Sequence, residues 1–252
     1  MIEWNFHGST AVVTGASQGI GRVLALCLAQ YGCRLALIAR RADRLSEVAD
    51  ETNDPKQHLV ISADLSVPGA GARVARTILE QGFEPDILLH CVGASLGKRD
   101  IFGPEEDWRL LWEINAGQPI AMNTILIPAM VARNYGRVLH LSSRSAETGG
   151  GSPGYAAAKA YLNIYVRALS RSVAASDVLV NVLSTSAVSA EGNNWSKAER
   201  NNPDNVDEYL KHHQAIGRLG RPEDLVPFAM LCLSSENRFA AGSILSVDGA
   251  AY

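Results

Sequence analysis

The sequence has few of the features that mark several specialised protein classes. Its 252 residues are 6% aromatic and 19% charged, and its four cysteines form no CxxC pair. The net charge of −3 lacks the basic excess that attracts nucleic acids or anionic membranes. No apolar run approaches the roughly 18 residues of a membrane span. We therefore expect no nucleic-acid or membrane partner, and reduced, buried thiols.

Targeting and metal-binding patterns are also missing. The start, Met1–Asn5, has neither a basic stretch nor an apolar one, so no secretory signal and a cytoplasmic location are predicted. The adjacent His212 and His213 form no recognisable ligand set with cysteines or carboxylates. We therefore expect no catalytic metal.

Short apolar segments alternate with longer segments of helical period. The short segments are apolar throughout, which is typical of parallel strands covered on both faces. The sequence thus predicts an α/β fold, a doubly wound Rossmann-type parallel sheet of about seven strands, in a single domain over residues 1–252. The predicted strands are Thr10–Val13, Leu35–Ile38, His58–Ile61, Asp86–His90, Arg137–Leu141, Leu179–Leu183 and Ser243–Val247. The predicted helices are Gly19–Tyr31, Arg44–Glu51, Ala72–Gln81, Glu105–Arg133 with a bend at Pro119, Pro153–Ala175 and Pro222–Leu233.

One long segment, Ala187–Arg218, has no clear period and is rich in asparagine and charge. A compact domain rarely contains so long a loop unless the loop is a lid or a binding segment. We predict a mobile lid over the substrate at residues 187–218.

A glycine-rich turn, Thr14–Gly21, lies between the first predicted strand and helix. Gly15 permits the tight turn, Gly19 lets the backbone approach a pyrophosphate, and Gly21 allows close helix packing. The helix N-terminus then offers unpaired N–H groups to phosphates. The residues expected to contact a dinucleotide here are Gly15, Ser17, Gln18, Gly19, Ile20 and Gly21.

The end of the second strand bears on which dinucleotide binds. An NAD site usually has a carboxylate there for the ribose 2′-hydroxyl, but Ala39 offers none. Arg40 and Arg41 suit a 2′-phosphate, so NADP(H) is preferred and NAD(H) is the alternative. Asp64 and Leu65 follow the third strand, where Asp64 either binds the adenine amino group or caps a turn.

Tyr155 and Lys159 lie four residues apart on one face of a predicted helix. A nearby ammonium favours the phenolate and lowers the pKa of a tyrosine from its usual value of about 10. Such a tyrosine can exchange a proton near neutral pH.

These pieces together resemble the short-chain dehydrogenase/reductase superfamily, in its branch of about 250 residues. The resemblance covers nearly the whole chain. It is carried by Thr14-Gly15-x-x-x-Gly19-x-Gly21, Asp64, Gly93, Asn115, Ser142-Ser143, Tyr155-x-x-x-Lys159, Asn181, Gly217–Asp224 and Val247-Asp248-Gly249.

The resemblance implies a role for each matching residue of the catalytic set. Tyr155 is the general acid/base, Lys159 lowers its pKa and binds the nicotinamide ribose, and Asn115 orders a water for proton relay. A serine at the end of the fifth strand binds the reacting oxygen. The common family spacing to the tyrosine points to Ser142, but ungapped counting from Gly136-Arg137 favours Ser143, which we choose.

The sequence departs from the family pattern in two places. His90-Cys91-Val92-Gly93 replaces Asn-Asn-Ala-Gly, so the strand-tying asparagine is lost, and His90 could replace its hydrogen bond. Gly93 retains the close approach to the cofactor. The family's Pro-Gly after the sixth strand is replaced by Thr185-Ser186 here. We therefore expect the backbone of Val188 to contact the nicotinamide carboxamide.

The resemblance implies an NADP(H)-dependent oxidoreductase that transfers hydride between nicotinamide and a small carbonyl or alcohol substrate. A sugar or glycan precursor is favoured by the polar lid, which contains Asn193, Asn194, Asn201 and Asn202. A 3-oxoacyl thioester (acyl-carrier-protein) reductase is the alternative activity. A non-catalytic dinucleotide-binding regulator is the alternative of another class. A homotetramer or homodimer is implied as the assembly.

Overall fold

The computed structural model describes residues 4–251, so part of the Met1–Asn5 prediction lies outside the described residues. Seven parallel strands form one sheet in the order β3-β2-β1-β4-β5-β6-β7. The order reverses at β1, so the chain winds outward in both directions, and the predicted doubly wound Rossmann-type sheet is confirmed. The strands are β1 Thr10–Thr14, β2 Arg34–Ala39, β3 Leu59–Ser62, β4 Ile87–His90, β5 Gly136–Ser143, β6 Val178–Thr185 and β7 Ile244–Val247.

Helices cover both faces of the sheet. Alternate residues of β5 show the division: Leu139 and Leu141 pack in a core with helices α1 and α10, while Val138 packs in a second core with α5 and α7. The helices are α1 Gly19–Gln30, α2 Ala42–Asp50, α3 Ala70–Glu80, α4 Glu105–Trp112, α5 Gln118–Arg133, α6 Ser145–Thr148, α7 Pro153–Val173, α8 Asn194–Asn201, α9 Pro203–His213 and α10 Pro222–Leu233.

The predicted helix Glu105–Arg133 is interrupted, but not at Pro119. A π-helical turn, Glu113–Gly117, separates α4 from α5. Pro119 follows this turn at the second position of α5, and the residues before it, Gly117 and Gln118, are themselves helical. The interruption therefore lies just before Pro119, and the bend at this proline stays a prediction.

The segment 187–218 is not the irregular loop that its sequence suggested, because it contains α8 and α9. These short helices form a small core of their own, in which Val206 and Leu210 are buried. The rings of Trp195 and Tyr209 lie 4.6 Å apart between centroids. Two short helices at an angle spread their apolar residues over several faces, which hides the helical period in the sequence.

Candidate active site

The glycine-rich turn connects β1 to α1 at the carboxyl edge of the sheet. Gly15 and Gly19 adopt left-handed φ values of +71° and +61°, which side chains disfavour. A Cβ on Gly21 would lie 2.4 Å from the Gly15 carbonyl oxygen and 3.1 Å from Cys91 Cβ. Gly21 therefore lets α1 pack directly against the ends of β1 and β4. Because α1 begins at Gly19, its unpaired N–H groups open at this edge.

The other predicted residues of this turn have different surroundings. Ser17 is buried, whereas Gln18 and Ile20 are half-buried. Arg41 donates a hydrogen bond to Gln18 Oε1 at 2.9 Å, so the end of β2 is tied to the glycine-rich turn. The turn and the arginine pair therefore form one continuous surface.

Arg40 and Arg41 are exposed beside the end of β2, and Ala39 places no carboxylate there. The neighbouring Asp64 accepts hydrogen bonds from the backbone N–H and hydroxyl of Ser66, which lower the pKa of its carboxyl, as does the nearby Arg40 charge. Asp64 thus caps a turn in this structure. Leu65, which follows it, is buried.

The Tyr155 phenol and the Ser143 hydroxyl lie within hydrogen-bonding reach of each other. Burial raises the pKa of Tyr155 above its ordinary value, and the Ser143 hydrogen bond opposes this rise. Lys159 Nζ lies 5.8 Å from the centre of the Tyr155 ring and donates to the Leu141 carbonyl at 2.8 Å. Burial is the dominant effect on the pKa of Tyr155 in this arrangement, and the lowering expected from the Lys159 ammonium stays a prediction.

Lys159 is itself buried, with 3% of its surface exposed. Burial lowers the pKa of its ammonium to about 8, since charge is costly away from water. The Lys159 ammonium therefore loses its proton within the pH range in which enzymes are ordinarily assayed.

Ser142 and Ser143 have different environments at the end of β5. The Ser143 hydroxyl also accepts a hydrogen bond from Ser145 N at 3.2 Å, in addition to its contact with Tyr155. The Ser142 hydroxyl is buried without a partner within residues 4–251. The structure therefore brings Ser143, the serine we chose, to Tyr155.

Asn115 lies in the π-helical turn and is fully buried. Its amide donates to the carbonyls of Leu111 and Ala94 at 2.8 and 2.9 Å, and its Oδ1 accepts from Ala94 N at 3.0 Å. A Cβ on Gly93 would lie 2.8 Å from Asn115 Oδ1 and 2.9 Å from Lys159 Nζ. Only glycine at position 93 leaves room for both groups.

Val188 lies at the base of the segment 187–218 and is buried. It pairs with Gly220, and its carbonyl accepts from the Asn193 amide at 2.7 Å. Asn193 also caps α8 through Ser196 N, so this lid asparagine is already engaged structurally. The first residues of the segment lie over the glycine-rich turn, since a Cβ on Gly19 would be 3.3 Å from the Glu191 carbonyl.

His90 forms a hydrogen bond, but not one between strands. Its Nε2 lies 2.9 Å from Asn123 Oδ1 in α5, and its ring stacks on His140 of β5. Asn123 and His140 were missed in the sequence. Each is a polar residue within an otherwise apolar helix or strand. Such a residue indicates a specific role once the structure shows that it is buried.

The comparison with protein-family models gives one match. The model described as enoyl-(acyl carrier protein) reductase, of the short-chain dehydrogenase type, matches residues 15–250. The chain belongs to the short-chain dehydrogenase/reductase family. The expectation drawn from its motifs is confirmed, and the enzymes of this family act on alcohol and carbonyl groups with NAD(P).

Curated relatives cover almost the whole chain. A 3-oxoacyl-[acyl-carrier-protein] reductase of Escherichia coli is 27% identical over 98% of this chain and 99% of its own length. An L-rhamnose 1-dehydrogenase (NADP(+)) of Thermoplasma acidophilum is 30% identical over 97% of this chain and 96% of its own. The relatives thus include both an acyl and a sugar enzyme.

The similar solved structures also include both an acyl and a sugar enzyme. A 3-oxoacyl (acyl-carrier-protein) reductase from Agrobacterium tumefaciens with NADP bound has a TM-score of 0.90 and 28% identity, covering 97% of this chain and 95% of its own. L-sorbose reductase from Gluconobacter frateurii, complexed with NADPH and L-sorbose, has a TM-score of 0.89 and 26% identity, covering 98% of both chains.

Residues 4–251 contain no group of three or more histidine, cysteine or acidic side chains placed to hold a metal. None of their helices combines the length and the apolar character that a membrane crossing requires. All four cysteines are free; Cys33 and Cys232 are buried, and Cys27 and Cys91 are half-buried.

Proposed function

We propose that this protein is an NADP(H)-dependent oxidoreductase that interconverts a carbonyl and an alcohol. The observation that carries the proposal is the adjacent pair of hydroxyls on Tyr155 and Ser143, with the Lys159 ammonium beside Tyr155 and Gly93 next to Lys159. A phenol and a hydroxyl that converge on one point can both bind a single substrate oxygen. The glycine-rich turn at the same edge of the sheet supports a dinucleotide next to that point.

The residues present fit NADP(H). The side-chain-free surface at Gly15, Gly19 and Gly93 gives a phosphate and a nicotinamide ring access to the backbone. Arg40 and Arg41 offer guanidinium groups where a 2′-phosphate would lie. When bound, the cofactor supplies or accepts the hydride. The other expected cofactor contacts are Ser17, Gln18, Ile20, Gly21, Asp64, Leu65, Tyr155, Lys159 and Val188.

Four side chains of this chain would carry the proton chemistry. Tyr155 donates its phenolic proton to the substrate oxygen during reduction and accepts one during oxidation. Ser143 binds the same oxygen and orients it. Lys159 in its ammonium form stabilises the phenolate that remains and holds the nicotinamide ribose. Asn115 keeps the loop at Ala94 in place beside Lys159, and a water held there would return the proton.

Two substrate classes remain, and the structure offers an observation for one of them. The loop after Gly93 exposes Leu96, Ile101 and Phe102, and 92% of the Phe102 side chain is accessible. Apolar side chains beside the site suit an acyl chain, so a 3-oxoacyl thioester is our second candidate. Sugars are our first candidate, although Asn193 is already used as a helix cap.

A substrate panel tests this proposal. The purified protein is mixed with NADPH and either L-sorbose, other ketoses, simple ketones or an acetoacetyl thioester, and the loss of NADPH absorbance is followed. Turnover that disappears in Tyr155→Phe supports the proposal. Tight NADPH binding without turnover on any carbonyl would instead favour a non-catalytic dinucleotide-binding regulator.

We also propose that residues 1–252 act as one cytoplasmic domain, with 187–218 as its lid, and assemble as a homotetramer or homodimer. Exposed apolar side chains on α4 and α7 support the assembly: Trp112, Tyr161 and Ile164 are 39%, 52% and 62% exposed. Native mass spectrometry of the protein and of Ile164→Glu tests it. We expect the substitution to yield smaller species, and a monomeric parent protein would exclude the assembly.

A further inference from the structure

A buried polar cluster lies on the face of the sheet that packs against α5 and α7. His90 at the end of β4 is paired in register with His140 of β5. Their rings are stacked, with centroids 4.5 Å apart and planes 16° apart, and both side chains are buried. Asn123 of α5 contacts both rings, with Oδ1 2.9 Å from His90 Nε2 and Nδ2 3.1 Å from His140 Nε2.

The chemistry of one amide fixes the protonation of both rings. Asn123 has an acceptor oxygen at one end and a donor NH₂ at the other. His90 must therefore carry its proton on Nε2, whereas His140 must present a lone pair at Nε2 and carry its proton on Nδ1. If the amide oxygen and nitrogen of Asn123 are exchanged, His90 and His140 exchange tautomers. In either orientation the two rings carry different tautomers.

Two charged rings do not fit this arrangement, and burial disfavours a single charge, because the Nδ1–H of a charged ring would find no partner within residues 4–251. An imidazolium has an N–H at both nitrogens. If both rings were charged, one of them would direct its Nε2–H at the Asn123 NH₂ whichever way the amide is turned, and the two stacked cations would repel each other. The single acceptor of Asn123 can therefore satisfy only one of the two rings as a donor.

Packing alone does not explain the cluster. Neither Nδ1 atom has a hydrogen-bond partner within residues 4–251, and an unpaired buried polar group costs free energy. Apolar residues of similar volume would avoid that cost. A buried polar network that is kept despite it indicates a role beyond stability.

The cluster lies directly behind the proposed catalytic lysine. Lys159 Nζ binds the carbonyl of Leu141, the residue after His140. The titratable groups that face the cluster are Lys159 and Tyr165, both from α7. Burial and then the Lys159 charge lower the pKa of His90 to about 4, and burial, His90 and Lys159 lower the pKa of His140 well below its ordinary value.

We propose that Asn123 is a positioning residue that holds His90 and His140 in opposite, neutral tautomers, so that no positive charge forms behind Lys159. An imidazolium there would repel the ammonium and weaken its hold on the cofactor ribose. The link to Lys159 rests on the proposed function, whereas the tautomer assignment does not.

Nitrogen NMR of the histidine rings tests the tautomers directly. In protein with ¹⁵N-labelled histidine, one ring should show the Nε2–H pattern and the other the Nδ1–H pattern between about pH 5.5 and pH 7, where a free imidazole would titrate. The signal that disappears in His90→Asn belongs to His90, and the other signal of the pair then belongs to His140. Two rings of the same tautomer, or either ring titrating above pH about 6, would overturn the proposal.

Kinetics test the link to Lys159. In Asn123→Asp the carboxylate accepts from both neutral rings, and its extra negative charge raises the pKa of Lys159. The alkaline limb of kcat/KM should then move up by about half a pH unit or more. Tyr165→Phe is the matched control, because it removes the Asn123–Tyr165 contact of 3.3 Å and leaves both rings bound.

The two measurements separate the possible failures. An unchanged alkaline limb in Asn123→Asp, or an equal shift in Tyr165→Phe, would remove the link to Lys159. If the parent protein turns over no carbonyl substrate, the proposed function fails, and the NMR result still decides the tautomers. If Asn123→Asp does not fold, the ring spectra of the parent protein remain decisive.

Discussion

At the scale of single residues, the Tyr155 hydroxyl is the atom on which turnover should depend. Tyr155→Phe keeps the ring in place but removes the proton donor, so we expect the rate to fall by about a hundred- to ten-thousand-fold. NADPH affinity, measured by fluorescence titration, should stay close to that of the parent protein. An active Phe variant would refute the role of Tyr155.

The two adjacent serines provide a matched pair. Ser143→Ala removes the hydroxyl beside Tyr155, and its kcat/KM should fall by about a hundredfold. Ser142→Ala removes a buried hydroxyl that has no partner within residues 4–251, so its kcat/KM should change little. Steady-state assays at one pH suffice, and the reverse order would move the substrate contact to Ser142.

Cofactor choice should depend on Arg40. Arg40→Ala leaves the rest of the β2 end intact, so we expect NADPH affinity to fall by about tenfold while NADH affinity hardly changes, because only NADPH carries the 2′-phosphate. Arg73→Ala on α3 is the control for a lost surface charge. Equal affinities of the parent protein for NADPH and NADH would contradict the assignment.

Lys159 should set the alkaline limit of activity. Its pKa is lowered to about 8 by burial, so the ammonium is progressively lost above that pH. We expect kcat/KM for reduction to decline above pH about 8. Activity that stays constant to pH about 10, the region of an ordinary lysine, would show that the ammonium is not required.

Residue identity could be predicted from the sequence where a motif fixes both type and spacing, as for Tyr155 and Lys159. The direction of the Tyr155 pKa could not, because it depends on where the Lys159 ammonium points and on how deeply the ring is buried. The Asn123–His140 contact joins residues of different elements. No spacing rule within one helix or strand brings such residues together.

At the scale of elements, the segment 187–218 should respond to the cofactor. Its first residues lie over Gly19, and Glu191 forms an ion pair with Arg44 of α2. We expect NADPH to slow hydrogen exchange in α8 and α9, which have few buried apolar side chains to hold them. The helix α10 is the internal control, and equal exchange in α8 and α9 with and without NADPH would contradict a lid.

The elements that were well predicted are those with a long, uninterrupted pattern. The apolar runs of β1, β2 and β6 and the period of α1 and α7 gave bounds close to those observed. The π-helical turn could not be predicted from the sequence. It adds one residue between α4 and α5, and each of these helices keeps an ordinary apolar periodicity on its own side of the turn.

At the scale of the whole molecule, the buried histidines should make the fold sensitive to acid. The unfolded chain protonates His90 below pH about 6.5, whereas the folded protein does so only near pH 4. Unfolding therefore takes up a proton between these values, and the free energy of unfolding falls as the pH falls. The slope from His90 alone approaches about 1.4 kcal/mol per pH unit.

Urea unfolding from pH 7 to pH about 4.5, which spans most of that window, measures this slope. His90→Asn should show a shallower dependence on pH than the parent protein, whatever its absolute stability. His212→Asn, at an exposed position of α9, is the control for the loss of a histidine. Identical slopes in all three proteins would show that His90 binds its proton equally well in the folded and the unfolded state.

The π-helical turn at Glu113–Gly117 also has a genetic consequence. Deleting one codon there would let α4 and α5 join as one regular helix, without the extra residue that the π-helical turn accommodates. Asn115 would lose its place beside Gly93, although the protein would keep a complete helix and most of its core. In this region a one-codon deletion should abolish activity more completely than most substitutions, and a second-site insertion of one codon should restore it.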